Sequence, residues 1–266
     1  MSHPRFEIGH PHPGIATVTI NRPDRKNAFD LPMVEEMHLA WNDIQADPAI
    51  RVVILRSGVP RVFVAGGDIE SMRDLQLEGG VRFVYAGHEL FRRLERSEQV
   101  VIAAIGGFAL GGGTELALAC DLRVASTAAV FGTPETSLGL LPGWGGTQRL
   151  ARLVGESRAK DLVLTARRVN ADEAYAMGLA NRLCKPEELD GAALDLAKAI
   201  LANAPMAVKR AKRAITEGSR VSLDQGLVIE AEAWLANLAS PDRIEGLTAF
   251  LEKRPARFSS AAEKKN

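Results

Sequence analysis

Two acidic residues stand where proton transfer is chemically plausible, and glycine clusters flank both. Glu115 lies within residues 106–120, GGFALGGGTELALAC, where three consecutive glycines follow a β-type run and precede an Ala/Leu-rich helix. Glycine lets the backbone approach a ligand without Cβ obstruction. The helix start offers unpaired N–H groups and a positive dipole end. Such a place suits an oxyanion that develops during reaction, where one preorganised donor contributes about 3–4 kcal/mol. Gly112 and Glu115 are three positions apart, so a helix puts them on one face, with the carboxylate beside the reacting carbonyl. A second cluster, VFVAGGD at 62–68, can supply another backbone donor from Gly67, since oxyanion holes converge from two loops. Residues 131–146, FGTPETSLGLLPGWGG, form a shaped loop whose one charged residue is Glu135. A carboxylate in apolar surroundings has its pKa raised, which suits proton transfer near neutral pH. Brought together, Glu115 and Glu135 would divide into acid and base, because like charges push their pKa values apart.

Each feature also has a plainer reading. Glu115 can complement a helix dipole, the glycines can serve tight turns, Asp68 can cap a short helix, and Glu135 can be held by its own loop. Residue types and spacing leave both readings open.

The elements that must position these residues alternate between strand and helix. Residues 6–8 and Ile15–Ile20 are predicted to form a hairpin, with a solvated tip at GHPHPG. An amphipathic helix is predicted over 31–44 and a buried strand over 51–55. A polar helix is predicted over 81–96, then a buried strand over Val100–Ile105, with further short strands at 121–125 and 129–131. Strands alternating with helices imply an α/β domain, and the opening hairpin means that the sheet is not purely parallel. From about residue 147 helices dominate, at 187–201, 205–217, Leu223–Leu238 and 241–253, with a short strand at 180–184. The apolar face of Leu227, Ala231, Trp234 and Leu238 needs a cover, either a partner subunit or the chain's own core.

Bulk composition narrows the function classes. The 266 residues are 46% hydrophobic and 25% charged, values of an ordinary soluble globular protein. Thirty-three basic and thirty-three acidic residues cancel, so no global field recruits nucleic acid, and an anionic ligand must meet local charge. Arg82, Arg92, Arg93 and Arg96 interleave with Glu89, Glu95 and Glu98, the pattern of a salt-bridged solvated helix rather than an RNA-binding face. No run approaches the roughly 20 apolar residues of a membrane span, and the first residues do not read as a secretion signal. Cys120 and Cys184 read as buried small hydrophobes in a reducing compartment. His3, His10 and His12 lack carboxylate or Cys neighbours at ligand spacing, so no metal site is expected there.

Together the segments resemble the enoyl-CoA hydratase/isomerase (crotonase) family nearly end to end. The resemblance is carried by NRPDRKNAF at 21–29, AGGDI at 65–69, GGGTELALACDLRVAS at 112–126, FGTPETSLGLLPGWGGTQRL at 131–150 and GLTAFLEKRPARF at 246–258. It implies an α/β fold, a ClpP-like spiral of ββα units over 1–196, with a C-terminal helical trimerisation region over 197–266. It implies a homotrimer, or a hexamer as a dimer of trimers, in the cytoplasm, working in fatty-acid metabolism. The implied substrate is an acyl-CoA thioester, with no metal or redox cofactor. By position, Gly67 and Gly112 would form the oxyanion hole. Ala28, Ala65, Asp68 and Ile69 would line the coenzyme A pocket, and Gly143 and Trp144 would touch the substrate. Phe250 and Lys253 would contact coenzyme A across a subunit boundary, and Arg25 and Lys26 offer charge to its phosphates.

Glu115 and Glu135 occupy the catalytic positions of the family's hydratases. The implied chemistry is syn addition of water to a trans-2-enoyl-CoA, with Glu115 as base and Glu135 delivering a proton to C2. The rival within the family is an isomerase that shifts the double bond between positions 3 and 2, which uses one base, at the Glu135 position. Reactions on cyclic acyl groups, RNA binding and a silent assembly module are further readings. Thr114 stands where hydratases often carry Cys, a change compatible with the same mechanism. Trp144 stands where a small residue is usual (PGWGG for PGAGG), so it is expected to reshape the acyl pocket or the water position.

Overall fold

The computed structural model describes residues 3–258. The chain begins with β1 (Phe6–His12), β2 (Ile15–Ile20), α1 (Leu31–Ala46), β3 (Val52–Ser57) and β4 (Val62–Val64). Next come α2 (Ile69–Arg73), α3 (Leu77–Glu95), β5 (Val100–Ile105), β6 (Phe108–Leu110), α4 (Gly112–Ala119), β7 (Leu122–Ser126) and β8 (Val130–Gly132). A 3₁₀ turn at Pro134–Leu138 leads to α5 (Gly146–Val154), α6 (Glu156–Thr165), β9 (Arg168–Asn170), α7 (Ala171–Ala176) and β10 (Arg182–Cys184). The remainder is helical: α8 (Leu189–Leu201), α9 (Pro205–Gly218), α10 (Leu223–Leu238) and α11 (Pro241–Leu251).

The repeat is a strand in one sheet, a strand in the other, then helix. The larger sheet runs β1-β2-β3-β5-β7-β10 and the smaller runs β4-β6-β8-β9. Thus β3–β4–α2, β5–β6–α4 and β7–β8–α5 are successive ββα turns of a spiral. Among the described strands, only β1 and β9 pair antiparallel, with β2 and β8 respectively. β3 and β5 read VVIL and VVIAAI because both of their faces are covered. One core lies between the sheets and α1, α3 and α4, including Phe29, Trp41, Phe63 and Phe91. A second lies under α8, where Ala193, Leu196 and Ala197 meet Ile54, Ile102 and Val124. The division expected after residue 196 falls inside α8, which is packed on the sheet.

Four expectations change. The GHPHPG tip is largely strand, because β1 continues through His12 and the turn falls at Pro13 and Gly14; Pro11 is tolerated on an edge strand. Of the second sheet, the strand at 129–131 matches β8, but β6 and β9 were not legible, since strands of three residues are too short to display a period of two. Glu95 is not on a solvated face: its side chain is 16% exposed between Arg149 and Arg220. The cover for α10 is not the chain's own core, as Trp234 is 62% and Leu227 51% exposed. Cys120 is buried, and burial pushes its thiol up to about 12, so it is inert; Cys184 is partly buried.

No single described helix is long and apolar enough to cross a membrane.

Candidate active site

Six of the residues singled out above converge where the spiral's loops meet. Gly67, Gly112, Glu115 and Glu135 line one cavity of about 280 Å³ with Gly143, Trp144, Met72, Phe83 and Leu141. Gly112 opens α4, so its N–H has no acceptor within the helix ladder. Gly67 pairs with Phe29 in a one-residue bridge that uses the N–H groups of Phe29 and Asp68. The Gly67 N–H is outside that pairing. The two loops touch: a Cβ built on Gly66, whose φ is +116°, would lie 3.8 Å from the Gly112 nitrogen.

Glycine also admits the carboxylates. Glu135 follows β8 in the 3₁₀ turn, and a Cβ on Gly111 would lie 2.8 Å from its Oε1. Gly111 has φ +52° and ψ −122°, a backbone reserved for glycine. Glu115, in the first turn of α4, is 2% exposed. Its Oε1 accepts from the N–H groups of Trp144 at 2.8 Å and Gly146 at 2.6 Å. Oε2 of Glu135 is buried without a protein hydrogen-bond partner among the described residues.

Burial pushes Glu115 up to about 7, and the nearby Glu135 charge adds to the rise; the two N–H groups and Arg149 oppose it. Burial also raises Glu135, opposed by its own backbone N–H. The site therefore holds two carboxyls of elevated pKa beside backbone donors, a set suited to taking one proton and giving another. The sign has a stability consequence. A carboxyl raised in the folded state contributes most below its ordinary 4.5 and loses that contribution as pH rises through about 7. Glu115→Gln removes this loss, so its stability relative to wild type should improve by roughly 2–3 kcal/mol between pH 5 and pH 8. Urea unfolding at both pH values checks it; an equal difference at the two would show that ionised Glu115 is not strained.

Trp144 acts twice. Its N–H holds Glu115, while its indole forms a wall fixed by an Nε1 hydrogen bond to the Phe83 carbonyl at 3.1 Å. The ring packs on Phe83, Phe91 and Phe29 at centroid distances of 4.7, 5.5 and 6.1 Å. A Cβ at Gly87 would lie 2.2 Å from Nε1, so α3 accepts the indole only because glycine is there.

The other expected residues do not line this cavity. The Asp68 carboxylate caps α2 by accepting from the Ser71 N–H and pairs with Arg22 at 3.0 Å, so its side chain is committed to the scaffold. Ala28 is buried, and Ala65 donates its N–H to the Lys26 carbonyl. Ile69 is 54% and Phe250 81% exposed, and Lys253 is exposed after α11. Arg25 pairs with Glu70 at 2.7 Å, and Lys26 is exposed. Asn27, within NRPDRKNAF, is a pin: its amide donates to the Phe63 carbonyl and Ser57 hydroxyl at 3.0 and 2.8 Å. Sequence reasoning missed Gly111, Gly146 and the Trp144 N–H, although Gly-Trp-Gly-Gly ahead of a helix start is a donor-rich turn.

Two sheets wound as a ββα spiral, with glycine-flanked carboxylates at the loop crossing, define a crotonase-type acyl-thioester fold and site. The chain belongs to the enoyl-CoA hydratase/isomerase family, whose family model matches residues 11–261. It is 45% identical to a short-chain-enoyl-CoA hydratase of Clostridium acetobutylicum, over 90% of this chain and 92% of that one. It is 44% identical to a crotonyl-CoA hydratase of Syntrophomonas wolfei, over 92% and 95% of the two chains. The crystal structure of an enoyl-CoA hydratase from Bacillus anthracis superposes with a TM-score of 0.92 at 38% identity, covering 96% of this chain and 99% of that one.

Proposed function

We infer that this enzyme adds water across the 2,3 double bond of a trans-2-enoyl-CoA to give a 3-hydroxyacyl-CoA. The observation that carries the reading is the pair Glu115 and Glu135 in one cavity with Gly67 and Gly112. In the proposed mechanism the Gly67 and Gly112 N–H groups donate to the thioester oxygen. Ionised Glu115 takes a proton from water as its oxygen bonds to C3. The π electrons move through C2 onto the thioester oxygen, where the two donors and the α4 dipole stabilise the charge. Glu135, whose carboxyl burial shifts toward the protonated form, gives a proton to C2 as the carbonyl re-forms. Glu115 ends protonated and Glu135 ionised, and proton exchange with solvent resets the pair. Coenzyme A enters as the substrate's carrier, and the carboxylates and N–H groups handle all developing charge.

An isomerase needs one base, so a second carboxylate held by two N–H groups favours hydration. The fixed indole wall, together with relatives named for short-chain and crotonyl substrates, supports a short acyl chain. Trp144→Ala should then raise kcat/KM for decenoyl-CoA relative to crotonyl-CoA by at least about 10-fold. An unchanged ratio in folded protein would remove Trp144 as the limit.

Ala28, Ala65, Ile69 and the backbone of Asp68 border the coenzyme A path in this reading, outside the cavity itself. The catalytic core then runs through the end of α8, and α9–α11 are the assembly region, where the exposed faces of α10 and α11 meet neighbouring copies in a trimer or a hexamer. Phe250 and Lys253 then reach coenzyme A across that boundary, in the cytoplasm. The function is tested by offering purified protein crotonyl-CoA and, separately, a 3-enoyl-CoA. Loss of enoyl absorbance from the first is expected; turnover of the second alone would replace hydration with isomerisation.

A further inference from the structure

One partly buried ion cluster has no part in the mechanism above. Arg149, in the first turn of α5, donates from Nη1 to the Trp144 carbonyl at 2.7 Å. Its Nε and Nη2 donate to the two oxygens of Glu95 at 2.6 and 3.2 Å. The Arg149 and Glu95 side chains are 18% and 16% exposed. Glu95 Oε2 also accepts from Arg220, just past the end of α9, at 2.8 Å. Gly145 makes the contact possible: its φ is +102°, and a Cβ there would lie 2.1 Å from Arg149 Nη1.

The carbonyl that Arg149 holds belongs to the peptide unit between residues 144 and 145. The peptide units on either side of it carry the Trp144 and Gly146 N–H groups, the two that hold Glu115 Oε1. Fixing the middle unit fixes the orientation of both donors, because successive planar peptides share only two soft dihedrals per residue. The nearest other ties are the Trp144 indole bond to the Phe83 carbonyl and the Gly145 carbonyl, which accepts from the Gln148 and Arg149 N–H groups; neither touches the Trp144 carbonyl.

We propose that Arg149 is a positioning residue for Glu115, and that Glu95 and Arg220 link the seating of α9 to the orientation of that base. The inference rests on Glu115 as the hydration base. The charged groups that act on Glu115 are Glu135, which disfavours its ionised form, and Arg149, which favours it. Around Arg149 stand Glu95, Arg220 beyond it, and His88 of α3. Removing the guanidinium therefore takes away both the alignment of two donors and the one cation favouring the ionised base.

The test is the pH profile of kcat and kcat/KM for crotonyl-CoA in the full-length enzyme. Arg149→Met is expected to lower kcat by about 10–100-fold with KM little changed, as a misplaced catalytic group does. Its acidic limb should move to higher pH, because the ionised base loses a favourable charge. Arg149→Lys, which keeps the charge, should return the limb close to the wild-type position. Arg220→Met, at the outer end, should lower kcat by a smaller factor, about 2–5-fold, in the same direction. A folded Arg149→Met enzyme with an unmoved limb, or a lysine variant displaced as far as methionine, overturns the positioning role. Unchanged kcat in Arg220→Met overturns the link to α9. Should Arg149→Met not fold, Arg149→Gln is read against the same criteria. Full hydration by Glu115→Gln would overturn this inference and the base assignment together, whereas loss in Glu115→Gln with an unmoved Arg149→Met limb overturns this inference alone.

Discussion

Glu115→Gln and Glu135→Gln are each expected to lower kcat for crotonyl-CoA hydration by about 10²-fold or more, the scale of a general acid–base contribution. The two losses have different origins. Glutamine at 115 can still accept from Trp144 and Gly146 through its amide oxygen, so the loop stays in place while the base is gone. At 135 the substitution removes the proton donor, and the amide occupies a buried site where Oε2 had no protein partner. Both variants should bind substrate with little change in KM, because neither the Gly67 nor the Gly112 N–H is touched. Steady-state kinetics on folded variants checks this. Near-normal kcat in either would remove that residue from the chemistry.

The second large effect is expected from a methyl group. In Gly113→Ala the new Cβ would lie 2.1 Å from the Val64 carbonyl oxygen and 2.9 Å from its carbon. Both partners are backbone, of α4 on one side and β4 on the other, so no side chain can rotate away. α4 must shift off β4 by about 1 Å to restore contact distance. That shift moves Gly112 and Glu115 relative to Gly67, and a misplacement of this size costs about 10²-fold in rate. Overpacking alone costs about 1–3 kcal/mol, and a backbone-to-backbone clash belongs at the upper end. Gly191→Ala in α8 is the matched control. Nothing lies within 4 Å of its Cβ. It should raise stability by about 0.5–1 kcal/mol through helix propensity. Urea unfolding and kcat on both variants test the pair. Wild-type kcat in Gly113→Ala would show that the contact between α4 and β4 does not set the donor geometry.

How much of this was legible varies with the residue. The glycine runs before α4 and after β4 marked two candidate donor loops, but residue types alone left a tight-turn reading open until the family resemblance joined them. Glu115 and Glu135 stood out as acids in apolar glycine-rich stretches, and the structure gives them the raised pKa values that such surroundings imply. What spacing could not disclose was mutual placement. Glu115 is held from Trp144, 29 residues away, and from Gly146, through backbone N–H groups that no side-chain pattern reports. The role of Trp144 was half visible: a large ring in a small-residue position pointed to the pocket wall, but not to its own N–H. Asp68 was read as a pocket residue and also as a cap. Its side chain is the cap, because Arg22, in a distant motif, claims the rest of the carboxylate, which leaves only its backbone for the proposed pocket. The four-stranded sheet was legible only in part, at β8, since short strands such as β6 and β9 are fixed by pairing partners and not by a pattern of their own.

The most direct measurement is hydration of crotonyl-CoA in D₂O, with the position and face of the deuterium read by NMR. Two carboxyls that hold one water deliver hydroxyl and proton to the same face. The expected product is 3-hydroxybutyryl-CoA with one deuterium at C2, syn to the new hydroxyl, and the label absent when Glu115 or Glu135 is glutamine. Deuterium at C4 without oxygen uptake, or anti addition, would contradict a water shared between Glu115 and Glu135.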